Sequence, residues 1–143
     1  MTAGTAPGVL FLPSPLQEAL IRHGEREAPR EACGLLGGQK EGAFWKAEIY
    51  QESANLVAGA GAYQMDPLAV LALSRRLEKE GRAWLGIVHS HPQGPPLPSP
   101  KDREEAYYPE VLYVIVGFWP KIEIRAYFVQ DKAWRSIPIK ARS

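Results

Sequence analysis

The run Trp84-Leu85-Gly86-Ile87-Val88 constrains the fold more than any other stretch of the chain. It is apolar at odd and even positions alike, so a strand formed there has to be covered on both faces. It reads as a buried central strand. The run leads into His89 and His91, two of only three histidines in the sequence. Residues i and i+2 of a strand point to the same face, so the two imidazoles project together. They do so at the carboxyl end of the strand, where open α/β sheets tend to place their sites. Four prolines follow between Pro92 and Pro98, and then Ser99 and Asp102.

Around this strand the chain interleaves helix starts with strand patterns. Residues 8–13 are apolar enough for a short strand. Ser14-Pro15-Leu16-Gln17 reads as a helix start, with Ser14 as N-cap, proline at the first helical position and glutamine three residues beyond the cap. That helix runs to about Glu27, with Leu16, Ala19, Leu20 and His23 on one face, and Pro29 ends it. Residues 32–38 read as a short strand of small residues, with Gly37-Gly38 taken as a turn and a further turn near 40–42. Residues 43–52 alternate as a second strand. The Gly- and Ala-rich stretch 55–64 shows no usable period. Asp66-Pro67 starts a second helix, with Leu68, Leu71, Leu73 and Leu77 apolar, ending at Gly81. Residues 99–108 read as a short helix, and strands are expected at 111–118, 121–129 and 133–139. Interleaving followed by clustered strands gives one α/β domain of α+β character, residues 9–139, built on a central mixed sheet flanked by helices. Residues 1–8 read as a loose end.

A chain of 143 residues can bury a core without staples. A formal net charge of +1 gives no sign of a nucleic-acid or acidic-membrane partner. The single cysteine, Cys33, excludes an intramolecular disulfide and any zinc site that needs two thiolates from one chain. Cys33 itself reads as buried filler, and His23 as a helix-face residue. With no signal-peptide pattern and no run of about 18 apolar residues, a cytoplasmic location away from membranes is the expectation.

A metal site built on His89 and His91 needs a third ligand. No second cysteine exists and His23 belongs to an early helix, which leaves Asp102 as the nearest carboxylate, carried back by the proline-stiffened loop. Two histidines and one aspartate leave a fourth zinc position open, the arrangement of a catalytic site. Ser99-Pro100-Lys101-Asp102 reads equally as a helix start, with Ser99 as N-cap and an acid at the third helical position. The two readings are compatible, since a cap can also hold a ligand.

The spacing H-x-H-x7-S-x2-D from His89 to Asp102 resembles the motif of the JAMM (MPN+) metalloproteases, and the upstream block REACGLLGG and the segment YQMDP resemble two further family segments. The likeness covers roughly residues 14–130. It implies a cytidine-deaminase-like fold around one zinc ion per chain. It also implies roles: His89, His91 and Asp102 match the zinc ligands, Glu31 the general acid/base, and Ser99 the residue that stabilises the tetrahedral intermediate. Only eight residues separate Asp102 from the strand expected at Val111, too few for a large substrate-gripping insertion, so the chain resembles the compact prokaryotic form. The implied activity is hydrolysis of a peptide or isopeptide bond at the Gly-Gly tail of a ubiquitin-like or sulfur-carrier protein, with a homodimer left open. Two other readings compete. Two histidines and a carboxylate also suit a non-haem iron enzyme, and a non-catalytic MPN scaffold would only bind partners. The full set of five residues argues against the scaffold.

Overall fold

The computed structural model describes residues 5–142. Its elements are β1 (Val9–Phe11), α1 (Ser14–Glu27), β2 (Cys33–Glu41), β3 (Phe44–Ser53), α2 (Pro67–Lys79), β4 (Ala83–His91), α3 (Pro100–Glu104), β5 (Leu112–Gly117), β6 (Glu123–Gln130), β7 (Ala133–Ile137) and β8 (Ile139–Lys140). The strands form one mixed sheet in the order β7-β6-β5-β4-β2-β3-β1-β8, so β4 is interior as its apolar run requires. On one face Leu85 and Val88 join Leu36, Val114 and Phe128, with Leu20 of α1 packed among them. On the other, Ile87 packs with Leu35, Tyr113 and Val70 of α2. The fold is the expected α+β arrangement, a mixed sheet flanked by helices.

The last strand differs from its expectation. Pro138 splits it, and the two pieces pair with opposite edges: β7 runs antiparallel to β6, β8 parallel to β1. Proline has no N–H to give to a ladder, but its carbonyl accepts from Leu10 N–H at 2.9 Å. One short segment thus caps both sheet edges, which are otherwise open to pairing with other chains.

The helix starts divide. Asp66 is the N-cap of α2, its side chain accepting from Leu68 N–H at 2.9 Å. Ser14 is not the cap of α1. Pro13 holds that position, its carbonyl taking the N–H groups of Leu16 and Gln17, while Gln17 Nε2 donates back to the Leu12 carbonyl. The expected leucines of α2 divide: Leu77 is buried and Leu73 packs against the core beside Val70, whereas Leu68 is 74% and Leu71 47% exposed. Leu71 and Leu68 stand about 100° and 160° round the helix from Val70, away from the sheet. The third helix stops at Glu104, short of Tyr108. Tyr108 precedes Pro109, which disfavours helical backbone, and its N–H goes to the Tyr113 hydroxyl at 2.9 Å.

Gly37 and Gly38 are not a turn. They lie inside β2 at a register shift against β3 and β4. A Cβ on Gly38 would collide with the Lys46 carbonyl, and one on Gly37 with the Leu77 side chain, so the glycines serve close packing. Of the expected loose end, residues 1–4 lie outside the described residues; Pro7 is buried and Gly8 N–H donates to the Ala43 carbonyl at 2.8 Å. Among the described residues no helix is long and apolar enough to cross a membrane.

Candidate metal centre

The register shift opposite Leu85 resets the alternation of β4. Ile87, His89 and His91 therefore share the face turned toward α2, and Ser90 faces α1. His89 is fully buried and His91 partly open. Parallel strands need a crossover, and the one from β4 to β5 is the proline loop with α3. The loop is clamped rather than free: Phe118 N–H donates to the Gly94 carbonyl at 3.0 Å and the Tyr127 hydroxyl to the Pro96 carbonyl at 2.7 Å. Gly117 admits this seat, since a Cβ there would overlap the backbone of Pro95 and Pro96.

The loop delivers Asp102 onto the histidine pair. His89 Nε2 lies 3.2 Å from Asp102 Oδ1, His91 Nε2 lies 3.2 Å from Asp102 Oδ2, and the two Nε2 atoms are 3.2 Å apart. The Ser99 cap forms as well: Ser99 Oγ accepts from Asp102 N–H at 3.1 Å, and Asp102 Oδ2 accepts from Ser99 N–H at 2.8 Å. The capping box is thus the device that aims the carboxylate at the histidines, so the helix-start reading holds and is compatible with a ligand role for Asp102.

These three groups fit a cation better than they fit one another. His91 Nδ1 lies 3.0 Å from the Pro95 carbonyl, which can only accept, so Nδ1 carries the hydrogen. In the neutral ring Nε2 is then a bare lone pair, facing a carboxylate and a second imidazole nitrogen. Separations of 3.2 Å also match the edge of a tetrahedron of zinc bonds, about 3.3 Å for bonds of 2.0–2.1 Å. The donor set of two imidazoles and one carboxylate is of the kind that holds zinc; the Nδ1–carbonyl support is present at His91, while His89 Nδ1 has no partner among the described residues.

Glu31 borders the same cluster. One of its oxygens and one ring nitrogen each of His89 and His91 lie within 4.8 Å of one another. Glu31 is buried, and its Oε1 has no hydrogen-bond partner among the described residues. Burial pushes its carboxyl above the ordinary value, tempered by the nearby histidines. Asp102 goes the other way. Burial alone would raise it, but the adjoining imidazoles of His89 and His91 and the Ser99 N–H hold it well below the usual carboxylate range. Two neighbouring carboxyls with opposite shifts suit different tasks.

Residues 13–135 match the family described as prokaryotic homologs of the JAB domain. The chain belongs to this family. It is 42% identical over 120 residues to a probable TtuB-protein conjugate cleaving protease of Thermus thermophilus, covering 80% of this chain and 77% of that protein. It is 30% identical over 133 residues to a CysO-cysteine peptidase of Mycobacterium bovis, covering 92% and 90%. A protein of Desulfitobacterium hafniense, solved in solution, superimposes with a TM-score of 0.81 at 28% identity, covering 92% of this chain and 90% of that one. The likeness to compact prokaryotic JAMM proteins read from the sequence is confirmed, and relatives within the family carry protease and peptidase names.

Two features of the centre escaped the sequence reading. Tyr63 stacks on His89, ring centroids 4.4 Å apart at 20°. It comes from the unreadable 55–64 stretch, and the one signal for it was its place in the YQMDP segment. Tyr63 also lines a neighbouring cleft of about 260 Å³ together with Val57, Met65, Ile87, Lys101 and Tyr107, whose walls include none of Glu31, His89, His91, Ser99 or Asp102. Cys33 and His23 stay outside the centre. Burial pushes the Cys33 thiol up to about 12, which removes it as a nucleophile. His23 is buried on α1, its Nδ1 2.7 Å from the Tyr50 hydroxyl.

Proposed function

We propose that this protein is a cytoplasmic zinc-dependent peptidase or isopeptidase that cleaves the bond after the Gly-Gly tail of a ubiquitin-like or sulfur-carrier protein. The observation that carries the reading is the convergence of His89, His91 and Asp102 at 3.2 Å, with the unpartnered Glu31 beside them. The names of the relatives, a conjugate-cleaving protease and a CysO-cysteine peptidase, support the substrate class. His89, His91 and Asp102 are the ligands of one zinc ion; the closer approach of Asp102 to both imidazoles favours it over Glu31. Bound there, zinc supplies a water that ionises near neutral pH and a positive charge beside the substrate carbonyl.

The chain's own residues do the rest. The Glu31 carboxylate, with its proton affinity raised by burial, takes a proton from the attacking water and returns it to the leaving nitrogen as the C–N bond breaks. Ser99 Oγ accepts from Asp102 N–H, which leaves its O–H free to donate to the carbonyl oxygen. The ring of Tyr63 holds His89 in place and walls the cleft through which an extended tail approaches. Glycines at the scissile end suit that approach, because they let backbone come close to a crowded surface.

The test is a tail series on one ubiquitin-like conjugate drawn from the same cell, with zinc and with chelator. The intact conjugate should be cleaved only with metal. Replacing the terminal Gly-Gly by Ala-Ala should cut kcat/KM strongly, and a free tail peptide should be far poorer than the conjugate. Equal rates for all three would make this a general peptidase and overturn the substrate assignment.

A further inference from the structure

The carboxylate of Glu31 has work assigned to it but nothing on its Oε1 to aim it. With that oxygen buried and unpartnered among the described residues, no hydrogen bond to it aims the side chain, and the placing of the backbone that carries it matters more. That backbone is held on both flanks. Ala32 N–H donates to Ser90 Oγ at 2.8 Å, and the Ala32 carbonyl accepts from Ser90 N–H at 3.0 Å. The Arg30 guanidinium donates to the carbonyls of Asn55 and Val57. The carbonyl of Glu31 itself accepts from Asn55 Nδ2 at 2.9 Å.

Asn55 is buried, and its amide is used to capacity. Nδ2 donates to the Glu31 and Ala62 carbonyls at 2.9 and 3.1 Å, and Oδ1 accepts from Val57 N–H and Gln64 N–H at 2.9 and 3.0 Å. A primary amide offers two donors and an acceptor with two lone pairs, and all four are engaged here. One side chain therefore ties both ends of the 55–64 segment, which carries Tyr63, to the peptide of Glu31. Aspartate has the same shape but would turn an oxygen toward two carbonyl oxygens, keeping the acceptor half of the network and destroying the donor half.

We propose that Asn55 is a positioning residue for Glu31, fixing through the Glu31 carbonyl the backbone from which an otherwise unheld carboxylate reaches the histidine cluster. The proposal rests on the reading of Glu31 as general acid/base. Its experiment has one arm that needs no turnover.

In the first arm, amide hydrogen exchange is followed in the full-length chain for the wild type, Asn55→Asp and Asn55→Ala. Asn55→Asp should speed exchange at Ala32, next to the freed Glu31 carbonyl, while Val57 and Gln64 keep most of their protection; Asn55→Ala should loosen all three. Unchanged Ala32 exchange in both variants would mean that Asn55 shapes only its own loop, and the proposal falls. In the second arm, cleavage is measured with zinc content verified. Asn55→Asp should lower kcat by roughly 10–100-fold, the scale of a misplaced catalytic group, with KM essentially unchanged. In a Glu31→Gln background the same substitution should cost nothing further, because a residue acting through Glu31 has nothing left to act on. A loss that appears in KM, or one that adds fully to that of Glu31→Gln, refutes the proposal. If the wild type cleaves no conjugate, the proposed function fails, and the exchange arm still decides whether Asn55 holds Glu31.

Discussion

If the proposed ligand set is right, zinc should stabilise the folded chain measurably, and the effect should depend on Asp102 rather than Glu31. The three donor atoms already stand 3.2 Å apart, so folding preforms the site and the unfolded chain offers no equivalent. A ligand that binds only the folded state stabilises it by RT ln(1 + [L]/Kd), about 2.7 kcal/mol at free zinc 100 times Kd. For a chain of this size each kcal/mol moves Tm by roughly 3–4 °C. The expected shift is therefore on the order of 8–11 °C, read by thermal unfolding in zinc buffers against a chelated reference. His89→Ala and Asp102→Ala each leave two of the three proposed ligands and should abolish the shift. Asp102→Ala also breaks the capping box, about 1 kcal/mol on its own, so the quantity to compare is the zinc-induced shift within each variant. Glu31→Gln should keep the shift and lose turnover by roughly 10²–10⁴-fold. Retention of the shift in Asp102→Ala together with its loss in Glu31→Gln would reverse the two carboxylates. Iron in place of zinc on elemental analysis would defeat the assignment altogether.

Three further outcomes follow from single side chains. Ser99→Ala should cost about 1 kcal/mol of stability as a lost cap and lower kcat by roughly 10²–10³-fold; lost stability with full activity would leave Ser99 only its capping role. Burial holds the His23 imidazole below its ordinary pKa, with Arg26 adding to this and Glu52 and Glu27 opposing it. The folded state then binds fewer protons than the unfolded one, so the contribution of His23 is intact above about pH 6.5 and is lost as pH falls below that. A thermal-melt series on His23→Gln should show a flatter decline there than the wild type, and parallel curves would rule this out. Cys33 is fully buried with its thiol pushed up to about 12, so iodoacetamide should label it only on unfolding; mass spectrometry of native protein showing rapid labelling would contradict the burial.

The fold and the core of the candidate site were legible because they rest on short-range rules. The two-sided apolar run of β4 fixes an interior strand, and the period of two puts His89 and His91 on one face whatever the rest of the chain does. Asp66-Pro67 and Ser99-Pro100 state their caps locally. Where the reading failed, a rival local cap or a distant contact had decided the matter. Ser14 carries the side chain of a cap, but Pro13 supplies the carbonyl and Gln17 reaches back to Leu12. Gly37 and Gly38 look like a turn until Leu77 and Lys46 are placed against them. The leucines of α2 outnumber its buried positions, and only the sheet selects Val70 and Leu77.

The same division separates Asp102 from Glu31. Asp102 follows His91 in a loop whose prolines and cap are local, so spacing singles out a carboxylate near the strand even though Gly117, Phe118 and Tyr127 seat the loop that delivers it. Glu31 reaches the centre through β2, which pairs Cys33 with His89 across 56 positions of sequence, and through Ser90, which grips Ala32. Nothing in EREAPRE marks which acid that pairing will select; only the family block singled out Glu31. Asn55 is further out of reach, because its meaning lies in four hydrogen bonds to Glu31, Val57, Ala62 and Gln64 that exist only once β2, β3 and the 55–64 segment are assembled. Candidate ligands can be read from a motif because a motif is a spacing. The groups that aim those ligands and the base are read from topology, and there a single strand register decides which carboxylate faces the histidines.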